Sequence, residues 1–232
     1  MIKSSKFILI VYLCLFHQLV QANTKATVFW FDELDAGIDP VQVRYLVTSK
    51  YLRVDNGNLQ DDFILFDAVK KIIYSVNHGD KTILVIKNSQ WVKPKFDFSV
   101  DIKQIPLEGA PIISGKQVQG YKVIVDGEVC TNIQFIPGLY RNEMSVFKKY
   151  QKTLSSQQIR NLANTPEHMK TPCFKLDLVY NEGSYYDLGM PVQEWHNRGY
   201  AKYLKEYKSQ NIPESFFKLP KDYKKYSVGV SQ

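Results

Sequence analysis

The stretch FILFDAVKKIIYSVNHGDKTILVI, residues 63–86, predicts three short antiparallel strands joined by two polar turns. The strands fall at residues 63–66, 72–76 and 82–86, with turns at 67–71 and 77–81. β-Branched and aromatic residues separated by short runs of turn residues are the sequence signal for such consecutive strands. We therefore expect the rest of the chain to be organised around this meander.

Both faces of the meander are apolar. Ile72 and Tyr74 face one way and Ile73 the other, and Ile83 likewise opposes Leu84. An antiparallel sheet with one wet face alternates apolar and polar residues, so this sheet is predicted to be covered on both faces. The cover over the second face is a helix of the same chain, a second sheet or a bound apolar ligand, and the sequence favours the first two.

The N-terminal residues have the pattern of a cleavable secretory signal peptide. Lys3 and Lys6 precede the apolar run FILIVYLCLF at residues 7–16, and a more polar stretch ends at Ala22. The run is shorter than the roughly 20 apolar residues that cross a bilayer, so no stable transmembrane anchor is expected after cleavage. We predict a signal peptide at residues 1–22 and a single domain at residues 23–232; a retained membrane anchor is the alternative.

The charge of the chain is moderately basic. Lys and Arg number 30 against 23 acidic residues, which gives a net charge of +7, or +5 once the two lysines of the signal peptide are removed. The lysines are scattered, whereas nucleic-acid-binding proteins usually concentrate basic charge on one face or in one run. The sequence therefore predicts no nucleic-acid partner.

Two cysteines, Cys130 and Cys173, remain after the predicted cleavage. In an exported chain such a pair predicts a disulfide, because oxidising compartments let the bond persist. The bond would close a loop of about 43 residues and stabilise the fold by roughly 4 kcal/mol in the chain-entropy model. No Cys-x-x-Cys motif occurs, which argues against a thiol oxidoreductase.

Other elements follow from local patterns. Asp126-Gly127 predicts a hairpin between residues 121–125 and 128–135, and Asn56-Gly57 carries the same two-residue turn signal. Apolar residues at three- and four-residue spacing predict helices within residues 139–163, divided at Ser155 by a Ser-x-x-Gln capping pattern. Further strands are predicted at residues 41–54, 173–180 and 185–188, residues 26–34 fit a strand or a short helix, and residues 200–207 fit a strand or a helix.

The order of these features resembles that of the LolA/LolB-like superfamily, and most closely its uncharacterised periplasmic members. The resemblance is carried by the signal peptide, the meander, a late strand pair around Gly189-Met190-Pro191, and a tail with Phe217, Pro220 and Tyr223. It implies an α+β fold, in which a strongly curved antiparallel sheet forms an unclosed β-barrel and helices cover its concave face. It also implies a periplasmic location.

Characterised relatives hold lipid or lipoprotein acyl chains between sheet and helices, so the first hypothesis is a periplasmic binding or carrier protein for an apolar ligand. The implied partner is a lipid or an acylated protein. The cavity-lining candidates come from the meander and the predicted helices: Ile64, Phe66, Ile73, Leu84, Ile86, Met144 and Phe147.

The second hypothesis is a structural or interaction module of the cell envelope, with a solid core and a protein partner. In this case Trp195 and the tyrosines of residues 200–207 would form a protein-binding surface.

The sequence contains no recognisable catalytic or metal-binding motif. The histidines His78, His168 and His196 lie in unrelated contexts without a zinc-ligand spacing, and the carboxylates of Asp32 and Glu33 are typical of a solvated loop. Gly-x-Ser-x-Gly, Walker and Gly-x-Gly-x-x-Gly patterns do not occur. The sequence therefore predicts a protein that is not an enzyme and needs no cofactor or metal.

Overall fold

The computed structural model describes residues 22–87 and 97–227, so the predicted signal peptide lies outside the described residues apart from Ala22. The strands in chain order are β1 (Asn23–Leu34), β2 (Val41–Val47), β3 (Tyr51–Asp55), β4 (Phe63–Asp67), β5 (Ile72–Asn77), β6 (Thr82–Lys87), β7 (Val100–Ile105), β8 (Ile112–Ile113), β9 (Lys116–Gln117), β10 (Gln119–Val125), β11 (Glu128–Pro137), β12 (Gly189–His196), β13 (Ala201–Pro213) and β14 (Lys224–Ser227). The α-helices are α1 (Arg141–Ala163) and α2 (Pro172–Lys175). Shorter helical segments lie at Glu167–Met169, Leu176–Tyr180, Ser184–Asp187 and Glu214–Phe217.

Twelve of the strands form one sheet in the order β14-β6-β5-β4-β3-β2-β1-β13-β12-β11-β10-β7, and β8 pairs with β9 in a separate ribbon. The sheet has two free edges, β14 and β7, so it is not closed into a barrel, as predicted. It is mixed and not wholly antiparallel, because β14 pairs in parallel with β6. This correction concerns the C-terminal segment, whose irregular sequence carries no strand signal.

The predicted meander is formed by β4, β5 and β6. Phe66 lies opposite Ile73, and Ile73 lies opposite Ile86 across the next pair of strands. Lys71 and Lys81 turn the chain with positive φ values of 55° and 52°. The alternation of turn residues and β-branched residues thus predicts both the strands and their pairing correctly.

Both faces of the meander are buried, and protein covers each of them. On one face Phe66 and Ile73 pack in a cluster with Met144 and Phe147 of α1. On the other face Phe63, Leu65, Val76 and Ile83 pack in a cluster with C-terminal residues, namely Phe216, Phe217, Leu219 and Tyr223. Protein thus packs on both faces, with residues of α1 on the first and the chain's tail on the second, although Leu84 of the first face is 39 % exposed.

Residues 141–163 form one helix, so the predicted division at Ser155 is wrong. Ser155 is fully buried in the middle of α1, and the neighbouring Ser156 donates a hydrogen bond to the carbonyl oxygen of Thr153, one turn earlier. Small hydroxyl side chains at these positions let α1 pack closely without breaking it. The helix begins after Tyr140, whose φ of 51° ends the preceding extended chain.

The predicted strand at residues 173–180 is helical instead. Thr171 caps the segment by accepting a hydrogen bond from the backbone N–H of Phe174, and Pro172 occupies the first helical turn, where its missing N–H costs nothing. The buried residues Cys173, Leu176, Val179 and Tyr180 recur at three- and four-residue intervals. This helical spacing determines the structure, and the strand-like alternation of apolar residues does not. The predicted strand at 185–188 is likewise wrong, because Ser184–Asp187 is a 3-10 turn.

The remaining strands agree with the sequence in part. Asp126 and Gly127 join β10 to β11 with positive φ at both residues, as the hairpin prediction requires. Asn56 and Gly57 do not form a two-residue turn, because the loop after β3 continues to residue 62. The ambiguous segment at 200–207 is strand β13, which pairs along the whole length of β1. In the described part of the chain, no helix is both long and apolar enough to span a membrane.

Candidate ligand-binding site

A cavity of about 280 Å³ lies between α1, the helical segment 176–187 and the strands β2, β12 and β13. Aromatic and apolar side chains form part of its wall, and charged or polar side chains form the rest. The lining residues are Tyr45, Phe147, Tyr150, Gln151, Leu154, Asp177, Tyr185, Tyr186, Glu194, His196, Arg198, Tyr200 and Lys202.

Strand alternation places the charged residues in the cavity wall. Val192, Glu194 and His196 share one face of β12, and the first two are buried. Lys202 lies directly opposite Glu194 on β13 and is 6 % exposed. The inward positions of β12 and β13 therefore carry charged residues, whereas the inward positions of the meander are apolar.

Lys202 is held by a buried polar network. Its Nζ lies 3.1 Å from Glu33 Oε1 and donates a hydrogen bond to Tyr45 Oη at 3.0 Å. The Tyr45 hydroxyl in turn donates to Glu33 Oε1 at 2.6 Å. The Lys202 ammonium also lies 4.1 Å from the ring centroid of Tyr45 and 4.3 Å from that of Phe31, which are cation–π distances.

These contacts keep Lys202 and Glu33 charged in spite of burial. Burial alone lowers the pKa of Lys202, but the neighbouring Tyr45 and Glu33 raise it well above its ordinary value. Burial raises the pKa of Glu33, and the Lys202 ammonium together with the Tyr45 hydroxyl brings it below its ordinary value. The pair is thus an ion pair, and Glu33 is not the solvated loop residue that its sequence context suggests.

His196 lies between two carboxylates on the same side of the cavity. Its Nδ1 is 3.2 Å from Asp177 Oδ2, and its Nε2 is 3.8 Å from Glu194 Oε2. Burial lowers the pKa of His196, but the neighbouring carboxylates of Asp177 and Glu194 outweigh burial and raise it to about 9. Arg198, at the exposed rim, also contacts Asp177 Oδ2 at 3.3 Å. The imidazole is therefore a cation at neutral pH.

Each of the two carboxylates keeps one oxygen without a donor. Asp177 Oδ1 and Glu194 Oε1 are buried and have no hydrogen-bond partner among the described residues. Their side chains are only 7 % and 8 % exposed. A buried acceptor without a donor costs about 1–3 kcal/mol, and more when it is charged. Both residues line the cavity, but these two oxygens have less than 1 Å² of accessible surface each, so they are enclosed by protein and not open to the cavity.

The tyrosines of the cavity remain protonated. Burial raises the pKa of Tyr150 to about 12 and also raises the pKa values of Tyr185, Tyr186 and Tyr200 above their ordinary value. Their rings also pack on other aromatic rings of the wall, since Tyr186 stacks on Phe147 at 5.4 Å between centroids. The cavity thus offers neutral hydroxyl groups on an aromatic wall.

The predicted disulfide between Cys130 and Cys173 is present, with 5.2 Å between the two Cα atoms. It ties β11 to the start of α2, a short distance along the chain from Asp177. The side-chain amide of Asn197 donates a hydrogen bond to Cys173 Sγ at 3.3 Å. The bond therefore anchors to the sheet the helical segment that carries Asp177.

The seven predicted cavity-lining residues occupy different places. Phe147 lines the cavity. Phe66, Ile73 and Met144 are buried in the cluster beneath α1, where they contact protein. Ile64 and Ile86 pack at the border of that cluster, and Leu84 is 39 % exposed. A ligand contact at these residues stays a prediction.

Sequence reasoning misses the charged cluster. Glu194 and His196 are polar and the large aromatic Trp195 lies between them, so an apolar pattern does not identify the inward face of β12. Asp177 falls within a predicted strand that is helical in the structure, and Glu33 and Lys202 are far from it along the chain. One signal is available in the sequence: the titratable residues Glu194 and His196 follow the apolar Val192 at two-residue spacing, as residues on one face of a strand do.

Comparisons with known proteins assign no family. No protein-family model matches the chain, and no curated protein matches it. Among solved structures, an uncharacterized conserved protein from Thermus thermophilus is similar with a TM-score of 0.40 and 11 % identity, over 90 % of this chain and 91 % of that one. Two structures of PNGF-II are similar with TM-scores of 0.41 and 0.43 and 8 % identity, and the chain spans about a third of their length. Because all of these TM-scores lie below 0.5, they indicate neither fold nor function, and the resemblance to LolA/LolB-like proteins stays a prediction.

Proposed function

We propose that this chain is an exported binding protein that holds a small ligand between its sheet and its helical segments. The observation that supports the proposal most directly is the cavity between α1 and the sheet, in which aromatic side chains such as Phe147 and Tyr186 lie beside the charged Lys202. A concave site with aromatic walls and a few convergent polar groups is the usual form of a small-molecule site. In this proposal the protein binds without catalysing a reaction and requires no cofactor.

The proposal places α1 and the segment 176–187 as the cover over the concave face of a curved sheet. Support comes from Met144 and Phe147, which pack in one cluster with the strand residues Phe29, Phe66 and Ile73. The Cys130–Cys173 bond gives further support, because it fixes α2, and with it the start of the segment that follows α2, to β11. A cover fixed in this way leaves a preformed cavity.

Export to the periplasm completes the proposal. Cleavage after Ala22 would release a chain that starts at Asn23, where β1 begins. The Cys130–Cys173 disulfide is of the kind that persists in an oxidising compartment.

The size of the cavity bears on the ligand. Sites for drug-sized molecules measure about 300–1,000 Å³, so a cavity of about 280 Å³ holds a molecule of modest size. A lipid or acylated protein, as the sequence leads us to expect, would place only a short apolar part against Phe147, Tyr150 and Leu154. Its polar part would lie against the charged residues.

Native mass spectrometry of the protein purified from its own envelope fraction tests this function. We expect a co-purifying small molecule on the wild-type protein. We expect it to be lost from the Gln151→Trp variant, in which an indole fills the cavity from α1. The matched control is Gln157→Trp, on the same helix but outside the cavity wall. A wild-type protein without any bound molecule, or equal occupancy in both variants, would refute the proposal.

A second function is favoured by the solid packing on the meander. Fully buried residues such as Phe66 and Ile83 leave the faces of β4–β6 filled by protein, as expected of a structural or interaction module of the envelope. The protein-binding surface predicted for this module includes Trp195 and Tyr203, but these two side chains are half-buried. Trp195 Nε1 donates a hydrogen bond to Tyr203 Oη at 2.7 Å, so less of each is available to a partner. Recovery of a stoichiometric protein partner by crosslinking, with an empty cavity, would favour this function over ligand binding.

A further inference from the structure

We propose that β7, at one free edge of the twelve-stranded sheet, pairs antiparallel with β7 of a second copy of this chain. The pairing is centred on Ile102, so that Asp101 of each copy lies opposite Lys103 of the other. This inference goes beyond the proposed function, because β7 contributes no residue to the wall of the cavity. It follows from the backbone groups of β7, from its charges and from its exposed apolar residues.

The hydrogen-bond pattern shows which backbone groups of β7 face away from the sheet. The N–H of Asp126 donates to the carbonyl oxygen of Ser99 at 3.1 Å, one position beyond the first opposed pair of β7 and β10. In an antiparallel pair, hydrogen-bonded and non-hydrogen-bonded pairs alternate along the strand. Every second residue after Ser99 therefore bonds to β10. The residues between them direct their N–H and C=O groups to the free edge, where no described strand pairs with them: Val100, Ile102 and Gln104.

The charges of β7 are complementary to a second copy of the same strand. Asp101 and Lys103 share one face of β7, with 3.1 Å between Nζ and Oδ2, and both side chains are more than half exposed. An antiparallel copy centred on Ile102 places each of these residues opposite its counterpart of opposite charge, once on either side of the two-fold axis. Opposite charges directly across two strands stabilise the pairing, and like charges destabilise it. A two-fold interface of this kind is self-complementary.

The other free edge lacks this complementarity. β14 carries Lys224 and Lys225 and no acidic residue, so no register of two β14 strands sets opposite charges against each other. Lysines on an edge strand are a usual protection against pairing between sheets. The charge pattern therefore favours β7 as the edge that accepts a second copy.

The face of β7 away from the charges is apolar and exposed. Val100 is 41 % and Ile102 is 45 % exposed. Both residues line a groove of about 290 Å³ whose other wall includes Leu176 and Tyr180. Opposed residues of an antiparallel pair point to the same face, so Ile102 of one copy would pack against Ile102 of the other. Pairing thus removes apolar surface from water and joins the two grooves across the axis.

Sedimentation velocity of the purified protein, from about 1 µM to about 1 mM, tests the pairing. We expect the wild type to form a reversible dimer, since a short edge strand makes a small interface. Asp101→Lys sets lysines against lysines, and Lys103→Asp sets aspartates against aspartates. Each single variant should raise the Kd of the dimer about tenfold or more. Lys224→Asp, with the same change of charge on the other free edge, is the control and should keep the wild-type Kd.

Mixing the two single variants tests the register. The lysines of Asp101→Lys then lie opposite the aspartates of Lys103→Asp at both positions, so an equimolar mixture should form a heterodimer although each variant alone does not. Both side chains are exposed, and circular dichroism checks that the variants keep the fold.

Amide hydrogen exchange locates the interface residue by residue. The amide of Ile102 should gain protection as the protein concentration rises, because it bonds to the second copy only in the dimer. The amide of Lys103 bonds to β10 in the monomer and should keep its protection.

Three results would overturn the inference. A wild type that stays monomeric at about 1 mM would leave this edge to a segment of another protein. A dimer that both single variants leave unchanged would have its interface elsewhere. Single variants that dissociate but do not recombine would exclude this register. None of these results depends on whether the cavity holds a ligand, so the proposed function is tested separately.

Discussion

Replacing His196 by glutamine is predicted to remove a specific part of the pH dependence of stability. In the wild-type protein His196 contacts Asp177, Glu194 and Thr131 Oγ1, and its ring packs 5.2 Å from that of Tyr200. The pKa of His196 is raised from the ordinary 6.5 to about 9 in the folded protein. The folded state therefore binds a proton that the unfolded state has released between these two pH values.

The sign and the size follow by linkage. A raised pKa stabilises the folded protein fully below about pH 6.5, and the stabilisation is lost as the pH rises toward about 9. Each factor of ten in proton affinity is worth about 1.4 kcal/mol, so the whole effect is about 3 kcal/mol. Within that window the free energy of unfolding should fall by up to about 1.4 kcal/mol for each pH step of one.

Urea unfolding with the disulfide intact, repeated between about pH 6 and pH 9.5, measures the effect. We expect the difference in free energy of unfolding between wild type and His196→Gln to shrink by about 3 kcal/mol across this range. His168→Gln, in an exposed helical turn, is the control and should keep the wild-type slope. A difference that does not vary with pH would show that His196 is not held as a cation by Asp177 and Glu194.

Three further changes test the fold around the site. Changing both Cys130 and Cys173 to serine should lower the free energy of unfolding by about 4 kcal/mol, read from the denaturant midpoint against the oxidised wild type; an unchanged midpoint would contradict this. Asp55→Asn should cost about 3–5 kcal/mol, because two arginines at 2.6 and 2.7 Å lose their shared buried carboxylate; a loss below about 1 kcal/mol would show that the pair is solvated. Gly189→Ala should cost more than about 1 kcal/mol in the same denaturant unfolding, since its Cβ would collide with a carbonyl oxygen of β11 at a φ of +150°; Gly109→Ala, at a φ of +66°, meets open space and should cost less.

The strands of the first half of the chain are predictable because their signals are local. The turn residues between β4, β5 and β6 stand next to the strands that they join, and the apolar residues on both parities show that two covers are needed. Asp126 and Gly127 identify the β10–β11 hairpin in the same way. Pairing between sequence neighbours requires no knowledge of the distant chain, so the sequence alone is sufficient there.

The helical structure of residues 172–180 is not predicted from the sequence, because this segment shows both a strand-like and a helix-like spacing of apolar residues. Phe174, Leu176 and Leu178 alternate as in a strand, whereas Cys173 and Val179 are buried at helical spacing relative to Leu176. The start signals, a capping threonine followed by proline, favour the helix, but they are weaker than the alternation of large apolar residues. The disulfide adds a constraint that no local pattern contains, since it fixes this segment against β11.

The candidate site is unpredictable for a different reason. Its charges come from β1, β12, β13 and the segment after α2, and the register that sets Glu194 opposite Lys202 is determined by pairing between distant strands. Each charged residue alone is typical of a solvated surface position. Only their convergence makes the cluster, and convergence is a property of the folded chain.

The two halves of the sheet use their inward positions differently, and this contrast indicates where the chain is adapted to function. Apolar side chains fill these positions in β4–β6, where they stabilise the fold by burial. In β12 and β13 the equivalent positions of Glu194 and Lys202 hold buried charges, which seldom stabilise a protein more than well-packed apolar residues would. Two carboxylate oxygens without donors among the described residues make this half less stable still, and the proposed ligand binding would explain why the arrangement is kept. Replacing both members of the buried pair Glu33–Lys202, by leucine and methionine, should therefore raise the unfolding midpoint while abolishing the proposed ligand binding, and a loss of both would show that the pair serves the fold.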